Sequence, residues 1–463
     1  MSKIFVFLFI LSGCLLDYVT LEVETSIPSI VKYFNTKGRY EDVNLYLRDD
    51  VLAVNSSVLQ TQCEPIHLTA IIRHGTRYPT TKKIKEMKQL YRIILHSNAT
   101  EDHDWLREIQ TQWKMWYTED MDGRLVQKGV DDLKHLAVRF SKMFPSLISE
   151  ENLRGGLFQF TTSSKHRCVN STMSFKAGLT ELTFNPLLSP LYLEIPHTVN
   201  DTLMRFFHEC DRLKQEVDNN SSAVREVDQF KNGPEMKRVY QRITDLLGVP
   251  HSLITHDLAE AAFDLCGYEF TIKEVNSPWC QLFTEEDAKV MEYASDLREF
   301  WKRGYGHEIN SRASCVLLRD VFERLDREKS IQTTATVQVG HADTLLPLLT
   351  LLGFFKDTEA LTSVNYASQA NRAFRTSHMM PYAANFLFVL YKCGRDDLRL
   401  QILLNEKPVT LPGSTNQQDT MPLYEDFKEL CKDLLQGCDF KTECHSNEPI
   451  DLFLPNKLNQ TSC

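Results

Sequence analysis

The sequence predicts an α/β fold: a mixed sheet flanked by helices, with a mainly helical lobe inserted into it. At three places, Ile66 to Ile72, Leu157 to Thr162 and Thr336 to Val339, a short apolar or β-branched run ends abruptly in polar or charged side chains. A helix-type pattern follows each time, which is the alternation expected of an α/β core. Between the second and third junctions, residues 186–330 carry mostly helical periodicity and mark the inserted lobe. The core is therefore placed at about 50–80, 125–185 and 331–440, and the lobe at about 81–124 and 186–330.

Residues 1–20 read as a secretory signal peptide, with Lys3 ahead of a short apolar core from Ile4 to Leu16. A second reading, a lipoprotein cleavage box at Leu11-Ser12-Gly13-Cys14, ranks lower because the apolar run continues past it. The remainder, 21–463, is expected to be a single catalytic region. Residues 21–60 are weakly patterned. The first strand, Ile66 to Ile72, stops in Arg73-His74-Gly75-Thr76-Arg77-Tyr78-Pro79. Gly75 is expected to let the backbone approach a ligand closely. A helix is predicted from Thr81 to about Leu95, a second and aromatic one over 101–117, and a third from Leu125 to Phe144.

The second strand leads into Ser163-Ser164-Lys165-His166-Arg167-Cys168 and a helical run to about Leu182, with Ser163 or Ser164 as a candidate N-cap. In the lobe, Thr284-Glu285-Glu286-Asp287 is a capping box that opens a helix closing at Lys302-Arg303-Gly304. Ser311 to Arg327 repeats the helical pattern. The third strand runs into Gly340-His341-Ala342-Asp343 and a leucine-rich helix. Phe386 to Tyr391 and Leu398 to Leu404 complete the sheet, 408–422 reads as a loop, and Glu425 to Gln436 as a last amphipathic helix.

Composition bounds the function. The chain has 463 residues and a net charge of −10, which argues against a general nucleic-acid or membrane-surface binder, so any affinity for phosphate must be local. No run of about 18 apolar residues follows the signal, so no stable membrane span is expected. Twelve cysteines and seven Asn-x-Ser/Thr sequons fit an oxidising compartment, with Cys266 and Cys280 a candidate pair and the last cysteines possible ties for the tail. No cysteine or histidine cluster has metal-site spacing, so neither metal nor cofactor is expected.

The chemistry sits at the three junctions. Strand carboxyl ends are where α/β sheets bind ligands, and here they carry Arg73, His74 and Arg77, then Lys165 and Arg167, then His341 and Asp343. Arginine's planar fork captures phosphate in bidentate fashion, and a histidine between two such forks suits a nitrogen nucleophile attacking phosphorus. A solvated basic turn is the bland alternative. Three cationic groups at the end of a buried strand are costly without an anion.

These motifs, Arg73-His74-Gly75-Thr76-Arg77, Lys165-His166-Arg167 and His341-Ala342-Asp343, resemble the signature of the histidine acid phosphatases, branch two of the histidine phosphatase superfamily. Asn276-Ser277-Pro278-Trp279-Cys280, Trp301-Lys302-Arg303-Gly304-Tyr305-Gly306 and Pro381-Tyr382-Ala383-Ala384-Asn385 are similar to the multiple inositol polyphosphate phosphatase subfamily, the animal phytases. The resemblance covers about 60–440. It implies a histidine phosphatase core and a metal-free phosphohistidine mechanism. By this resemblance His74 would attack phosphorus, Arg73, Arg77, Arg167 and His341 would hold the phosphoryl oxygens, and Asp343 would protonate the leaving alkoxide and then activate water. Lys82, Lys83 and Lys165 are candidates for the other phosphates of an inositol polyphosphate such as phytate, and 2,3-bisphosphoglycerate is a further possible substrate.

The chain departs from the subfamily twice. Its acid is Asp343 where Glu is usual, and it lacks the subfamily's retention-like carboxyl tail. Secreted or lysosomal residence is therefore expected ahead of the ER lumen. The competing functions are a broad acid phosphatase of the same fold and a non-catalytic secreted binding protein, the latter opposed by the retained His74 and its flanking arginines.

Overall fold

The computed structural model describes residues 27–59, 61–97, 103–183, 195–326, 333–395, 397–414, 416 and 418–445. The signal segment, the sequons Asn98 and Asn459, and Cys463 lie outside the described residues.

Seven strands form one mixed sheet in the order β3-β2-β4-β1-β5-β6-β7. They are β1 (Glu64–Arg73), β2 (Phe158–Thr162), β3 (Thr198–Val199), β4 (Ala335–Gly340), β5 (Asn385–Lys392), β6 (Leu398–Leu404) and β7 (Lys407–Val409). β2, β3, β4 and β1 run parallel, and β5 to β7 continue antiparallel. β3 and β7 are short edge strands that alternation in the sequence does not reveal. The principal helices are α1 (Thr81–Leu95), α2 (Gln127–Met143), α3 (His166–Ala177), α4 (Pro234–Leu247), α5 (His256–Lys273), α6 (Glu285–Arg303), α7 (Cys315–Asp326), α8 (Ala342–Leu351) and α9 (Tyr424–Leu435).

Alternation along β1 sorts the two faces of the sheet. Leu68, Ala70 and Ile72 join Val337, Val339, Leu387 and Val389 in a core with Leu133, Leu136 and Phe140 of α2 and Phe175 of α3. Ile71, Phe386, Phe388 and Leu390 face the other way, into a larger core fed by α1 and α4 to α9. Each fully buried Leu, Ile or Phe contributes about 1.5–3 kcal/mol relative to exposure. β1 is thus buried on both sides, as its apolar run requires.

Local signals hold where they are strong. Thr284 Oγ1 accepts from the Asp287 N–H at 3.2 Å, and Asp287 Oδ2 accepts from the Thr284 N–H at 2.8 Å, so the capping box opens α6 as read. Elsewhere tertiary contacts redraw the boundaries. Among the described residues of the aromatic stretch over 101–117, the α-helix runs from Asp104 to Thr111. Beyond it the indole N–H groups of Trp113 and Trp116 donate to the buried Glu269 carboxylate at 3.0 and 2.6 Å, which holds the chain off helical geometry. The Ser311 to Arg327 pattern divides into Glu308–Arg312 and α7. Neither Ser163 nor Ser164 caps α3, because both hydroxyls are committed elsewhere, to His341 and to Asp201.

Among the described residues there are four disulfides, Cys63–Cys393, Cys210–Cys444, Cys266–Cys280 and Cys315–Cys438, and the last three are buried. The second and fourth tie the carboxyl-terminal part to the helical segments. Cys168 and Cys431 are buried and unpaired. Among the described residues no helix is long and apolar enough to cross a membrane.

Gly75 serves a different contact from the one expected. A Cβ there would meet Gly129 O at 2.3 Å, and a Cβ on Gly129 would meet Thr76 O at 2.1 Å. The turn after β1 therefore lies directly against the first turn of α2, and two glycines make that approach possible. Gly129→Ala is expected to destabilise the fold by about 1–3 kcal/mol through overpacking, measured as a lower urea midpoint at unchanged m-value.

Candidate active site

The parallel strands end in register. Arg73 pairs with Gly340, and both Ile72 and Thr162 pair with Val339, so His74, His341 and Ser163 follow side by side at one sheet edge. β5 begins at the same edge, because Ile72 pairs with Asn385. The segment before it turns through Ala383 at φ +58°, an uncommon conformation for alanine, and brings Tyr382 beneath the cluster.

His74 is 3 % exposed. Its Nδ1 lies 2.9 Å from Gly75 O, and a carbonyl can only accept, so Nδ1 carries the proton and the Nε2 lone pair is free. Burial, then the positive charges of Arg167, Arg73 and Arg77, push its pKa well below that of an ordinary histidine. The ring therefore stays neutral and nucleophilic in acid conditions that would protonate a solvated histidine.

Around it stand three guanidinium groups. Arg73 Nη1 donates to Thr36 O at 2.6 Å and Met380 O at 2.5 Å, and its guanidinium lies 4.5 Å from the Tyr382 ring centroid. Arg77 Nη1 donates to Tyr78 O at 2.7 Å. Arg167 Nη2 donates to His341 Nδ1 at 3.2 Å, which leaves the His341 Nε2–H to donate to Ser163 Oγ at 2.9 Å. The Nε atoms of Arg73, Arg77 and Arg167, together with the Tyr382 hydroxyl, are buried without a hydrogen-bond partner among the described residues. Buried donors are almost always paired, so converging unpaired guanidinium donors describe a seat for an anion.

Asp343, in the first turn of α8, has its side chain 39 % exposed. Arg303 Nε donates to its Oδ1 at 2.8 Å. Partial burial pushes the carboxyl's pKa up, but the Arg303 charge outweighs this and holds it below the usual aspartate range. The lysines fall into different settings. Lys82 is exposed in the first turn of α1, and Lys165 is exposed at the N-cap of α3. Lys83 is occupied: its ammonium meets Glu260 at 2.5 Å and Glu86 at 2.9 Å, inside a carboxylate cluster that includes Asp264.

Sequence reasoning gave no role to Ser163, Arg303 or Tyr382. Ser163 looks like a cap, Arg303 like a cation at a helix terminus, and Tyr382 like core. Their part depends on partners 178, 40 and 309 residues away (His341, Asp343 and Arg73). Among the described residues one group, His256, Asp257 and Glu260, has the proximity of metal ligands. Its Glu260 is already neutralised by Lys83 at 2.5 Å and Arg298 at 2.8 Å, so the group offers a cation little net negative charge.

A sequence profile of the histidine phosphatase superfamily (branch 2) matches residues 66–405. The chain belongs to that family. It is 43 % identical over 441 residues to human multiple inositol polyphosphate phosphatase 1, covering 90 % of this chain and 89 % of the relative. The chicken protein of the same name is 42 % identical, over 94 % of this chain and 96 % of its own. The fold is similar to that of the D. castellii phytase, with a TM-score of 0.68 at 17 % identity over 83 % of this chain and 82 % of that one. It is also similar to the Bifidobacterium longum multiple inositol polyphosphate phosphatase solved with inositol hexasulfate, with a TM-score of 0.68 at 16 % identity over 87 % and 98 % of the two chains. The seven-stranded mixed sheet with flanking helices is thus the histidine phosphatase architecture, and the protein is a phosphatase.

The buried histidines make the unliganded site sensitive to acid. Burial, then Arg167, lower His341 from 6.5 to about 3. The unfolded chain therefore takes up this proton first, and the stability that His341 supplies above pH 6.5 is lost progressively as pH falls toward 3. At pH 4 the loss is roughly 3 kcal/mol. His341→Gln should narrow the difference between the melting temperatures at pH 7 and pH 4, measured by calorimetry without phosphate.

Proposed function

We propose that this protein is a phosphomonoesterase of the secretory pathway that hydrolyses inositol polyphosphates such as phytate through a phosphohistidine intermediate. The observation that carries the reading is the neutral His74 Nε2 beside three guanidinium groups whose buried Nε donors are unpaired among the described residues. The names of the 42–43 % identical relatives support the substrate class. Disulfides and sequons support an oxidising compartment, secreted or lysosomal.

In this reading a phosphate monoester seats its non-bridging oxygens on Arg73, Arg77 and Arg167. His341 keeps the Arg167 fork aimed through its Nδ1, and its Nε2–H can donate to the phosphoryl group only by leaving Ser163. His74 Nε2 forms the P–N bond as the P–O bond to the ring breaks, and Asp343 gives its proton to the departing oxygen. Water then attacks phosphorus, Asp343 takes its proton, and phosphate leaves as the P–N bond breaks. The three fixed positive charges balance the charge of the transferring group. Lys82 and Lys165, both exposed, are the candidates for further phosphates; Lys83 could take that part only by giving up its carboxylates. One catalytic region serves throughout: the sheet segments supply the reacting groups and the helical lobe supplies Arg303.

Phytate, p-nitrophenyl phosphate and 2,3-bisphosphoglycerate assayed side by side from pH 4 to 8 test the reading. Phytate turnover should be abolished in His74→Ala, which should also fail to retain labelled phosphate after rapid quenching at alkaline pH. Activity should persist in excess EDTA. Asp343→Asn should slow phytate by about 10²–10⁴-fold and p-nitrophenyl phosphate far less, because an inositol oxygen is a basic leaving group and p-nitrophenolate is not. Turnover by His74→Ala would place the nucleophile elsewhere. Hydrolysis of p-nitrophenyl phosphate without phytate would favour a broad acid phosphatase.

A further inference from the structure

We infer that Arg303 is a positioning residue for the acid–base group of this reaction: it grips one oxygen of Asp343 and both oxygens of Asp218, and so holds the half-exposed Asp343 carboxyl in one orientation. The inference rests on the assignment of Asp343 above and adds the device that lets one short carboxyl serve both half-reactions.

The contacts are specific. Arg303 Nε donates to Asp343 Oδ1 at 2.8 Å, while Nη1 and Nη2 donate to Asp218 Oδ1 and Oδ2 at 2.9 and 3.2 Å. Nη1 also donates to Lys302 O at 2.7 Å. The guanidinium lies 5.6 Å from the Phe207 ring centroid, and Phe207 packs edge-on against His341 at 5.8 Å. With four of its donors engaged and its side chain 11 % exposed, Arg303 is a fixed support. It is not one of the guanidinium groups left unpaired for the anion.

The reaction asks two things of Asp343. It must be protonated when the P–O bond breaks and ionised when water attacks. Arg303 favours the ionised form directly, and Asp218, behind it, tempers that pull by sharing the same positive charge. The other charged or titratable groups facing Asp343 are Arg167 at the start of α3, Arg73 at the end of β1 and the neutral His341 at the start of α8. An incoming phosphate would neutralise the two arginines but would leave Arg303 engaged. Asp343 and Arg303 then form a separate pair whose balance can be altered without touching the phosphate seat.

Two substitutions should therefore move the alkaline limb of kcat for phytate in opposite directions. Arg303→Met removes the positive charge and should shift the limb to higher pH by about one unit, with kcat at the optimum falling about 10–100-fold through lost alignment. KM should change little, and p-nitrophenyl phosphate should be affected far less. Asp218→Asn leaves the Arg303 charge unshared and should shift the limb to lower pH. Arg303→Lys should restore the limb and part of kcat. Arg303→Met slowing both substrates equally with an unmoved limb would overturn the inference, as would a change confined to KM. Should Arg303→Met fail to fold, by circular dichroism, Asp218→Asn decides alone: a limb that stays in place or moves upward overturns the inference. The assignment of Asp343 fails separately, if Asp343→Asn slows both substrates equally.

Discussion

The structure depends on holding unpaired positive charge at the buried end of a sheet. Arg73, Arg77 and Arg167 surround His74, each lowering its pKa through space. Burial itself, helped by Arg77, brings the Arg73 guanidinium down to about 10, yet leaves it protonated at any physiological pH. Such a cluster repels itself, and only a rigid surround can keep its members within reach of one anion.

That surround is built from backbone and buried ion pairs. Arg73 is tied to the carbonyls of Thr36 and Met380. Met380 ends a segment fixed by Arg372 on Asp296 and by Arg375 on Glu292, so the α6 carboxylates reach the site through one loop. The His74 turn is pressed against α2 through Gly75 and Gly129, and the Gly75 N–H donates to Ser171 Oγ of α3 at 3.1 Å. Buried Arg139 holds Glu406 through its Nε and Nη2, tying α2 to the turn between β6 and β7. Each brace joins elements remote in sequence, which is why the geometry of the site and the stability of the fold are linked.

Positive charge at the seat is matched by negative charge one layer out. Asp343 and Asp218 meet Arg303, Asp201 meets Arg205, and Asp264 with Glu260 meets Lys37, Lys83 and Arg298. This arrangement reconciles a net charge of −10 with local affinity for an anion. It also explains why cationic residue type alone does not identify a ligand contact: Lys83 and Arg303 are spent on carboxylates, whereas Arg167 Nε is not.

The sequence by itself determined the three strand-to-helix junctions, the capping box of α6, the Cys266–Cys280 pair and the residues that converge on His74. These rest on short-range patterns, namely the two-residue and 3.6-residue periods, side-chain capping and charged groups abutting an apolar run. Only the tertiary structure decided what each group meets. It set the tautomer of His341 through Ser163 and Arg167, turned Trp113 and Trp116 out of a helix toward Glu269, and gave Gly75 a backbone to pack against. It also joined Arg303 to Asp343 across 40 residues. A hydrogen bond or ion pair depends on distances between chain segments, and those distances are fixed by how the helices pack on the sheet.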